Sequence, residues 1–188
     1  MLYIARHGET DWNVRGCIQG KTDTQLNEKG RRQAVELADE IAQKDLHPTC
    51  IYCGNLKRAI ETARIVGKRL GVPMEVVPGL EEMDFGRWEG LSWPSVRVLY
   101  KEAYEEWIEQ RRYVRCPEGE SYQDVLDRLL PVLRVLSEKH KDSKALIINH
   151  SANIRTLLSY INDTPFEQMA KLYHPRNAQL ITFDETKL

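Results

Sequence analysis

The order of apolar and helical segments predicts an α/β fold, a three-layer α/β/α sandwich with a mostly parallel central sheet. Short apolar runs that hardly alternate with polar residues are typical of strands covered on both faces. Five such runs occur, at Leu2–Ala5, Thr49–Cys53, Met74–Val77, Ala145–Ile148 and Gln179–Phe183. Segments with helical spacing lie between them, so the predicted order is βαβαβ, then helices, then βαβ.

Helical spacing and end signals mark four helices. Asn27 is a candidate N-cap, Gly71-Val72-Pro73 stops the second pattern, and Ser121 with Asp124 has the form of a capping box. We expect one helix from Asn27 to about residue 41. Three further helices are expected at about 56–70, 121–139 and 152–161.

A chain of 188 residues fits one domain, which we take to be 1–188. The segment from 92 to 115 is rich in tryptophan and tyrosine, and it could form a small helical cap subdomain, residues 92–120, over a site. The alternative is an amphipathic helix packed on the body. The helical spacing of Val96, Tyr100, Ala103 and Trp107 supports this alternative at least as strongly as it supports a cap.

Composition excludes two classes of partner. The 27 basic and 28 acidic side chains leave a net charge of −1, which does not suit a general nucleic-acid binder. No apolar run approaches the length of a membrane span. Met1 is followed at once by the first predicted strand with no leader-like segment, so we expect a cytoplasmic protein.

The four cysteines are expected to be reduced thiols. Cys50 and Cys53 have the spacing of a redox or zinc motif. The second cysteine pair and the nearby histidines of a zinc site are missing, and a strand would point these two side chains to opposite faces. Strand packing is therefore the preferred explanation.

Two predicted strands end in histidine, at His7 and at His150. Ligands of parallel α/β sheets bind beyond the carboxyl ends of the strands, so neighbouring strands would place both rings against one small group. A core imidazole bonded to backbone is the alternative for each, and their matched positions argue against it. We assign structural roles to the other histidines, His47, His140 and His174.

Arg58 falls in the first turn of a predicted helix, where a cation opposes the helix dipole. Alone it would be a solvated surface arginine, but an anion bound at that helix start would make the position favourable. Together with Arg6, His7 and His150 it describes a cradle for a phosphoryl group. No aspartate cluster or Gly-rich P-loop indicates magnesium.

The helix after His150 could aim a second N-terminus at the same point. Ser151 and Ala152 are small enough for a close approach of a ligand to the backbone.

Arg6-His7-Gly8-Glu9-Thr10 strongly resembles the signature of the histidine phosphatase superfamily, in its phosphoglycerate mutase-like branch. The resemblance covers nearly the whole chain and includes further motifs in the family's order. They are Asn13 with Gln19-Gly20, Asp23, Leu26, Gly30 and Gln33-Ala34; Arg58-Ala59 with Thr62-Ala63; the acidic loop 80–90 (LEEMDFGRWEG); and His150 to Arg155.

The resemblance implies that His7 attacks phosphorus and becomes a phosphohistidine, with no metal or other cofactor. A backbone carbonyl is expected to orient the other ring nitrogen, because the nucleophile must be unprotonated. The remaining implied groups hold the phosphoryl oxygens. They are Arg6, Arg58 and His150, with neutral contacts from Asn13 and Gln19 and a backbone N–H of Ser151.

Glu82, four residues before Gly86, would protonate the leaving oxygen and then activate water. Glu81 and Asp84 are rivals for that role, although solvated loop carboxylates are the preferred interpretation of both.

Two motifs depart from the family pattern. Gly54-Asn55 replaces the common Ser-Asp or Ser-Pro, and His150-Ser151-Ala152 replaces His-Gly-Gly. Neither change removes a charged group, so they concern the fine shape of the phosphate cradle.

The expected function is a metal-independent phosphomonoesterase acting on small phosphate esters, similar to α-ribazole and broad-specificity phosphatases. The alternative is a cofactor-dependent phosphoglycerate mutase, and a noncatalytic phospho-ligand binder is a weaker third hypothesis. The segment from Glu82 to His150 looks shorter than in those mutases, which favours hydrolysis. The expected partner is a small phosphorylated substrate, and a homodimer is left open.

Overall fold

A computed structural model describes residues 1–188 and contains one five-stranded sheet. Its strands are β1 (Leu2–Arg6), β2 (Cys50–Cys53), β3 (Met74–Val76), β4 (Ala145–Asn149) and β5 (Leu180–Thr182). The spatial order is β3-β2-β4-β1-β5. All neighbouring pairs are parallel except β1 with β5, which confirms the mostly parallel sheet.

The helices include the four that the sequence predicts. They are α1 (Asp11–Arg15), α2 (Glu28–Gln43), α3 (Lys57–Leu70), α4 (Trp93–Leu99), α5 (Lys101–Glu109), α6 (Tyr122–Lys139), α7 (Ser151–Ile161) and α8 (Met169–Leu172). Asn27 caps α2 by accepting a hydrogen bond from the Gly30 N–H, and Ser121 and Asp124 form the expected capping box of α6. No helix is both long enough and apolar enough to cross a membrane.

Side chains on the two faces of the sheet belong to two separate hydrophobic clusters. Alternate residues of β1 and β2 point to opposite faces. One cluster packs the sheet against α2 and α3 and includes Cys53, whereas the other packs it against α6 and α7 and includes Cys50. The three-layer arrangement is therefore confirmed, and so is the prediction that these two thiols point apart.

The pairing of β1 with β4 determines where the site lies. These strands are adjacent and parallel, with Arg6 opposite Asn149. The next residue on each strand is a histidine, so His7 and His150 leave the same edge of the sheet side by side. Two residues that are 143 positions apart in the chain thus meet because one ladder sets their register.

The aromatic segment forms α4 and α5, which pack on the α6 side of the body. Val96 and Trp107 are fully buried, and Tyr100 and Ala103 are partly buried against the same core. This packing agrees with the amphipathic-helix alternative. Trp93 is the one residue of 92–120 that also lines the cavity described next.

Candidate active site

A cavity of about 250 Å³ lies beyond the carboxyl ends of β1 and β4. Seven of the eight site residues expected from the sequence line it, and these are Arg6, His7, Asn13, Gln19, Arg58, Glu82 and Ser151. The eighth, His150, is fully buried beside His7, and their ring centroids are 5.2 Å apart. The structure therefore brings the whole expected set together.

His7 is held with one ring nitrogen free. Its Nδ1 lies 2.7 Å from the carbonyl oxygen of Gly8, so Nδ1 carries the proton and donates, as expected for a ring oriented by backbone. The lone pair then belongs to Nε2. The pKa of His7 lies well below its ordinary value because the ring is buried and because Arg58 and Arg6 repel its protonated form. His7 is therefore neutral at neutral pH.

His150 is fully buried, yet neither of its ring nitrogens has a hydrogen-bond partner. Burial lowers its pKa well below the ordinary value, and nearby Arg58 and His7 lower it further. A buried polar group without a partner costs about 1–3 kcal/mol. An anion next to the ring would accept a hydrogen bond from it and remove that cost.

Arg58 is fully buried at the start of α3 and is held rigidly. Its two terminal nitrogens donate to the carbonyl oxygens of Thr22, at 2.8 Å, and Gly20, at 2.6 Å, whereas Nε has no partner. Burial lowers its pKa, but an arginine remains charged at neutral pH. The site thus contains a fixed buried cation with no acidic side chain bonded to it.

A loop before β5 positions Arg6 and His7, and no motif in the sequence predicts this contact. Arg6 donates from Nη1 to the carbonyl of Pro175 at 2.9 Å. Asn177 donates from Nδ2 to the carbonyl of His7 and to Oδ1 of Asn13, each at 3.1 Å. Burial lowers the pKa of Arg6 to about 10, which still leaves it charged.

The amide side chains of Asn13 and Gln19 have their oxygens occupied. Oδ1 of Asn13 accepts from the N–H of Thr10, in the capping box that starts α1. Oε1 of Gln19 accepts from the hydroxyls of Thr10 and Thr24. Both residues line the cavity, so their NH₂ groups are the ends left to donate to an anion.

The carboxylate of Glu82 faces the cavity and is fixed by three backbone N–H groups. Oε1 accepts from Met83 at 2.9 Å and Asn153 at 3.3 Å, and Oε2 accepts from Ala152 at 3.2 Å. The last two N–H groups belong to the first turn of α7. The idea that this helix start points its N–H groups at the phosphoryl is therefore wrong for Ala152 and Asn153, because Glu82 occupies them.

The rival carboxylates lie elsewhere. Glu81 accepts from the N–H of Gly79 at 2.8 Å, and Asp84 accepts from the N–H of Gly86 at 2.8 Å and pairs with Lys21. Neither residue lines the cavity beside His7, which leaves Glu82 as its single carboxylate.

Close backbone packing explains two glycines of the motifs. A Cβ on Gly8 would lie 2.4 Å from the carbonyl oxygen of Gly30, so the signature loop can pack on the start of α2 only without a side chain there. A Cβ on Gly54 would lie 2.9 Å from the N–H nitrogen of Glu81. The departure at Gly54 therefore lets the acidic loop approach β2 closely.

Nine further residues line the cavity, and they include Phe85, Trp93, Tyr122 and Arg155, for which the sequence analysis predicts no individual role. Arg155 follows Ser151 by four positions in α7, so helical spacing from a predicted site residue could have found it. The arginines of the aromatic segment, Arg111, Arg112 and Arg115, are not among the lining residues.

The groups around His7 are those of an anion site. They are arginine and amide N–H donors and imidazole rings, with Glu82 as the one acid. No three His, Cys, Asp or Glu side chains gather in a metal-binding arrangement. The metal-free mechanism remains a prediction.

Comparison with known proteins identifies the class of enzyme. The family model described as histidine phosphatase superfamily, branch 1, matches residues 2–187. The chain belongs to this superfamily, and the expected enzyme class, a phosphatase of the histidine phosphatase type, is confirmed. Metal-independent phosphoserine phosphatase of Arabidopsis thaliana is 32% identical over 173 residues, which cover 91% of this chain and 71% of that protein.

Other relatives differ in size and described activity. The 6-phosphofructo-2-kinase/fructose-2,6-bisphosphatase 3 of Rattus norvegicus is 35% identical over 95% of this chain, which spans only 31% of that protein. Bacillus stearothermophilus YhfR shares the fold with a TM-score of 0.85 and 31% identity, covering 97% of this chain and 91% of that one. Mycobacterial glucosyl-3-phosphoglycerate phosphatase in complex with VO3 has a TM-score of 0.83 and 30% identity, covering 95% and 88%.

Proposed function

We propose that this protein hydrolyses small phosphate monoesters through a phosphohistidine on Nε2 of His7, with Glu82 as general acid and base. The observation that carries the proposal is a set of buried side-chain nitrogens without hydrogen-bond partners beside a neutral histidine. Both ring nitrogens of His150 and the Nε atoms of Arg6 and Arg58 lack a hydrogen bond. A bound phosphoryl group would satisfy donors of this set and neutralise both guanidinium groups.

In the first step Nε2 of His7 attacks phosphorus, and the bond from phosphorus to the ester oxygen breaks. Glu82, protonated at this stage, gives its proton to the leaving oxygen. In the second step water attacks phosphorus, Glu82 takes a proton from that water, and the bond from phosphorus to Nε2 breaks. Inorganic phosphate leaves, and His7 and Glu82 return to their starting states.

Phosphoryl transfer requires mainly positioning and charge that matches the negative oxygens. Arg6 and Arg58 supply two positive charges at fixed positions, and His150 supplies a neutral donor. The amides of Asn13 and Gln19 complete the cradle, and Ser151 lies at its edge. These groups supply the stabilising charge without a metal ion.

The relatives support a small phosphorylated substrate. Their names describe phosphatases that act on phosphoserine, fructose 2,6-bisphosphate and glucosyl-3-phosphoglycerate. The proposal also takes 1–188 as a single domain with a cytoplasmic location, and it leaves a homodimer open. Within this domain the segment 92–120 packs on the body and contributes Trp93 to the wall of the cavity.

A phosphoglycerate mutase is the second candidate. Phosphoglycerate mutase-like protein 4 of Arabidopsis thaliana is 35% identical over 159 residues, which cover 83% of this chain and 68% of that protein. The short segment from Glu82 to His150 favours hydrolysis over this alternative. A noncatalytic binder fits less well because His7, Glu82 and the cradle are all present and adjacent.

A panel of small phosphate esters assayed in a chelator tests the proposal. We expect net release of inorganic phosphate that the chelator does not reduce. Conversion of 3-phosphoglycerate only when 2,3-bisphosphoglycerate is present, without phosphate release, would favour the mutase. Activity that disappears in the chelator and returns with a divalent metal would contradict the metal-free mechanism.

A further inference from the structure

Glu89, near the end of the acidic loop, is a partly buried carboxylate that does not line the cavity. Its Oε1 accepts from the N–H of Lys21 at 2.8 Å and from that of Phe85 at 3.3 Å. Its Oε2 accepts from the N–H and the hydroxyl of Thr22, at 2.9 and 2.6 Å. A carboxylate has about four acceptor positions, so these bonds use its capacity. Glu89 therefore acts on the backbone that it holds and not on a ligand.

The backbone that Glu89 holds is the backbone that holds Arg58. Nη2 of Arg58 donates to the carbonyl of Gly20, and Nη1 donates to the carbonyl of Thr22. The Gly20 carbonyl and the Lys21 N–H belong to one peptide group. This group accepts from the guanidinium at one end and donates to the carboxylate at the other, so it joins Arg58 to Glu89.

The chain from guanidinium to peptide group to carboxylate also carries charge. Hydrogen bonds in series polarise one another, and a peptide group between a cation and an anion is strengthened at both ends. Burial lowers the pKa of Arg58, whereas Glu82, Asp23 and Glu89 raise it. Glu89 therefore helps to keep Arg58 charged although the two side chains are not bonded.

The indirect arrangement suits a group that must bind an anion. A buried cation needs compensation, but an acid bonded directly to the guanidinium would occupy its donors and oppose a second anion. Here the Nε of Arg58 has no partner and stays available. The protein thus fixes and compensates the cation while leaving a donor for the ligand.

The fit between Glu89 and residues 20–22 is close. A Cβ on Gly20 would overlap the carboxylate of Glu89, and Gly20 has a φ of 53°. The same carboxylate holds the N–H of Phe85, a residue of the cavity wall three positions after Glu82. One side chain therefore connects the loop that holds the cation to the loop that carries the acid.

We propose that Glu89 is a positioning residue, which fixes Arg58 for the phosphoryl group through the peptide groups of residues 20–22. This inference rests on the proposed function for the role of Arg58 as a phosphoryl ligand. Loss of the carboxylate should free the guanidinium and weaken phosphate binding, although every residue that lines the cavity is unchanged.

Calorimetry of inorganic phosphate binding to Glu89→Gln tests the proposal. Either orientation of the new amide places an NH₂ group opposite a backbone N–H, and the charge is lost. We expect the Kd of phosphate to rise roughly tenfold, as removal of charge-assisted hydrogen bonds gives. Asp84→Asn is the matched control, because Asp84 belongs to the same loop but pairs with the side chain of Lys21. It should keep the wild-type Kd, and a wild-type Kd in Glu89→Gln would overturn the proposal.

The Kd also separates positioning from a merely structural role. A loss of stability lowers the fraction of folded protein, which calorimetry reports as stoichiometry, but leaves the Kd of the folded fraction unchanged. Thr22→Val removes only the hydroxyl bond to Glu89 and should raise the Kd by a smaller factor than Glu89→Gln. If Glu89→Gln does not fold, Thr22→Val decides, and a wild-type Kd there would overturn the proposal.

Nitrogen NMR of the arginine side chains tests the position of Arg58 without a ligand. The buried Nε–H of Arg58 should give a slowly exchanging resonance, identified by its absence from Arg58→Gln. We expect fast exchange or broadening in Glu89→Gln and no change in Asp84→Asn. This difference in a protein that binds no phosphate would contradict the proposed function and support the positioning role. An unchanged resonance in Glu89→Gln, with phosphate release by the wild type, would refute the positioning role alone.

Discussion

Two buried histidines lie at opposite ends of the central sheet, and their hydrogen bonds differ. His140 follows α6 near the amino ends of β1 and β2, where Nε2 meets the hydroxyl of Tyr52 at 2.9 Å and Nδ1 meets that of Ser143 at 2.8 Å. His150 lies at the carboxyl end, and neither of its ring nitrogens has a partner. Burial is the largest cause that lowers the pKa of each.

Burial alone therefore does not distinguish a structural histidine from a ligand-binding one. For these two histidines the ring nitrogens make the difference, because the protein completes the hydrogen bonds of His140 and leaves those of His150 open for a ligand. The same criterion separates Arg128, which is paired with Glu120, from Arg58, whose Nε is free. Four predictions test this difference between the two ends of the sheet.

The largest effect is expected from the nucleophile. His7→Ala should reduce kcat on the order of 10⁴-fold or more, as removal of a catalytic nucleophile does. The control is His140→Gln, which removes a buried histidine at the other end of the sheet and should keep most of the activity of the folded protein. A steady-state assay of phosphate release measures both. A near-normal rate for His7→Ala would contradict the assignment of the nucleophile.

Glu82→Gln should reduce kcat by about 10²–10⁴-fold, because a general acid and base contributes on this scale. The amide cannot give a proton to the leaving oxygen. Glu81→Gln is the control, since Glu81 is the preceding residue but points to the N–H of Gly79 instead of the cavity. If Glu81→Gln were the damaging change and Glu82→Gln harmless, the position of the acid in the loop would be wrong.

Inorganic phosphate should stabilise the folded protein by filling the carboxyl-end site. At a concentration one hundred times its Kd the expected gain is about 2.7 kcal/mol, and a thermal melt measures it as a rise in Tm. Arg58→Gln should need far more phosphate for the same rise. Arg69→Gln, which changes an exposed arginine paired with Asp39, should behave as wild type. Equal shifts in both variants would mean that phosphate binds elsewhere.

The smallest effect concerns the pH dependence of stability at His140. Its pKa is lowered by burial and then by the charges of Lys139 and the N-terminus. The unfolded chain then binds the proton more readily than the folded one, so folding stability is lost as pH falls below the ordinary histidine value of about 6.5. Denaturant unfolding measures the free energy of unfolding between about pH 7 and pH 5. This free energy should fall less steeply with pH in His140→Gln than in the wild type, because His7 and His150 contribute equally to both proteins. Equal slopes would contradict this prediction.

Local patterns in the sequence were sufficient for most of the fold. The periodicity of α2, α3, α6 and α7 and the apolar runs of the strands are local signals, and the structure follows them within a few residues. The short helices α1 and α8 were missed because a helix of one turn leaves little periodicity. The division of the aromatic segment into α4 and α5 depends on tertiary packing around Trp107, which no local signal shows.

The site could be predicted where residues follow a strand or start a helix, as His7, His150 and Arg58 do. The support around them could not. Asn177 reaches the carbonyl of His7 from a loop 170 positions away, and nothing in its own segment indicates this contact. Glu82 accepts the first N–H groups of α7. The sequence of that helix alone predicts that these groups bind the ligand, because it does not show that the acidic loop reaches them.

The central claim is that His7 becomes covalently phosphorylated. Rapid mixing of the enzyme with an ester labelled in its phosphoryl group, followed by an alkaline quench and peptide mapping, tests it most directly. We expect label on the peptide that contains His7, stable in alkali and lost in acid, and absent from His7→Ala. Rapid release of labelled phosphate with no labelled protein at any time, or label that persists in His7→Ala, would contradict the claim.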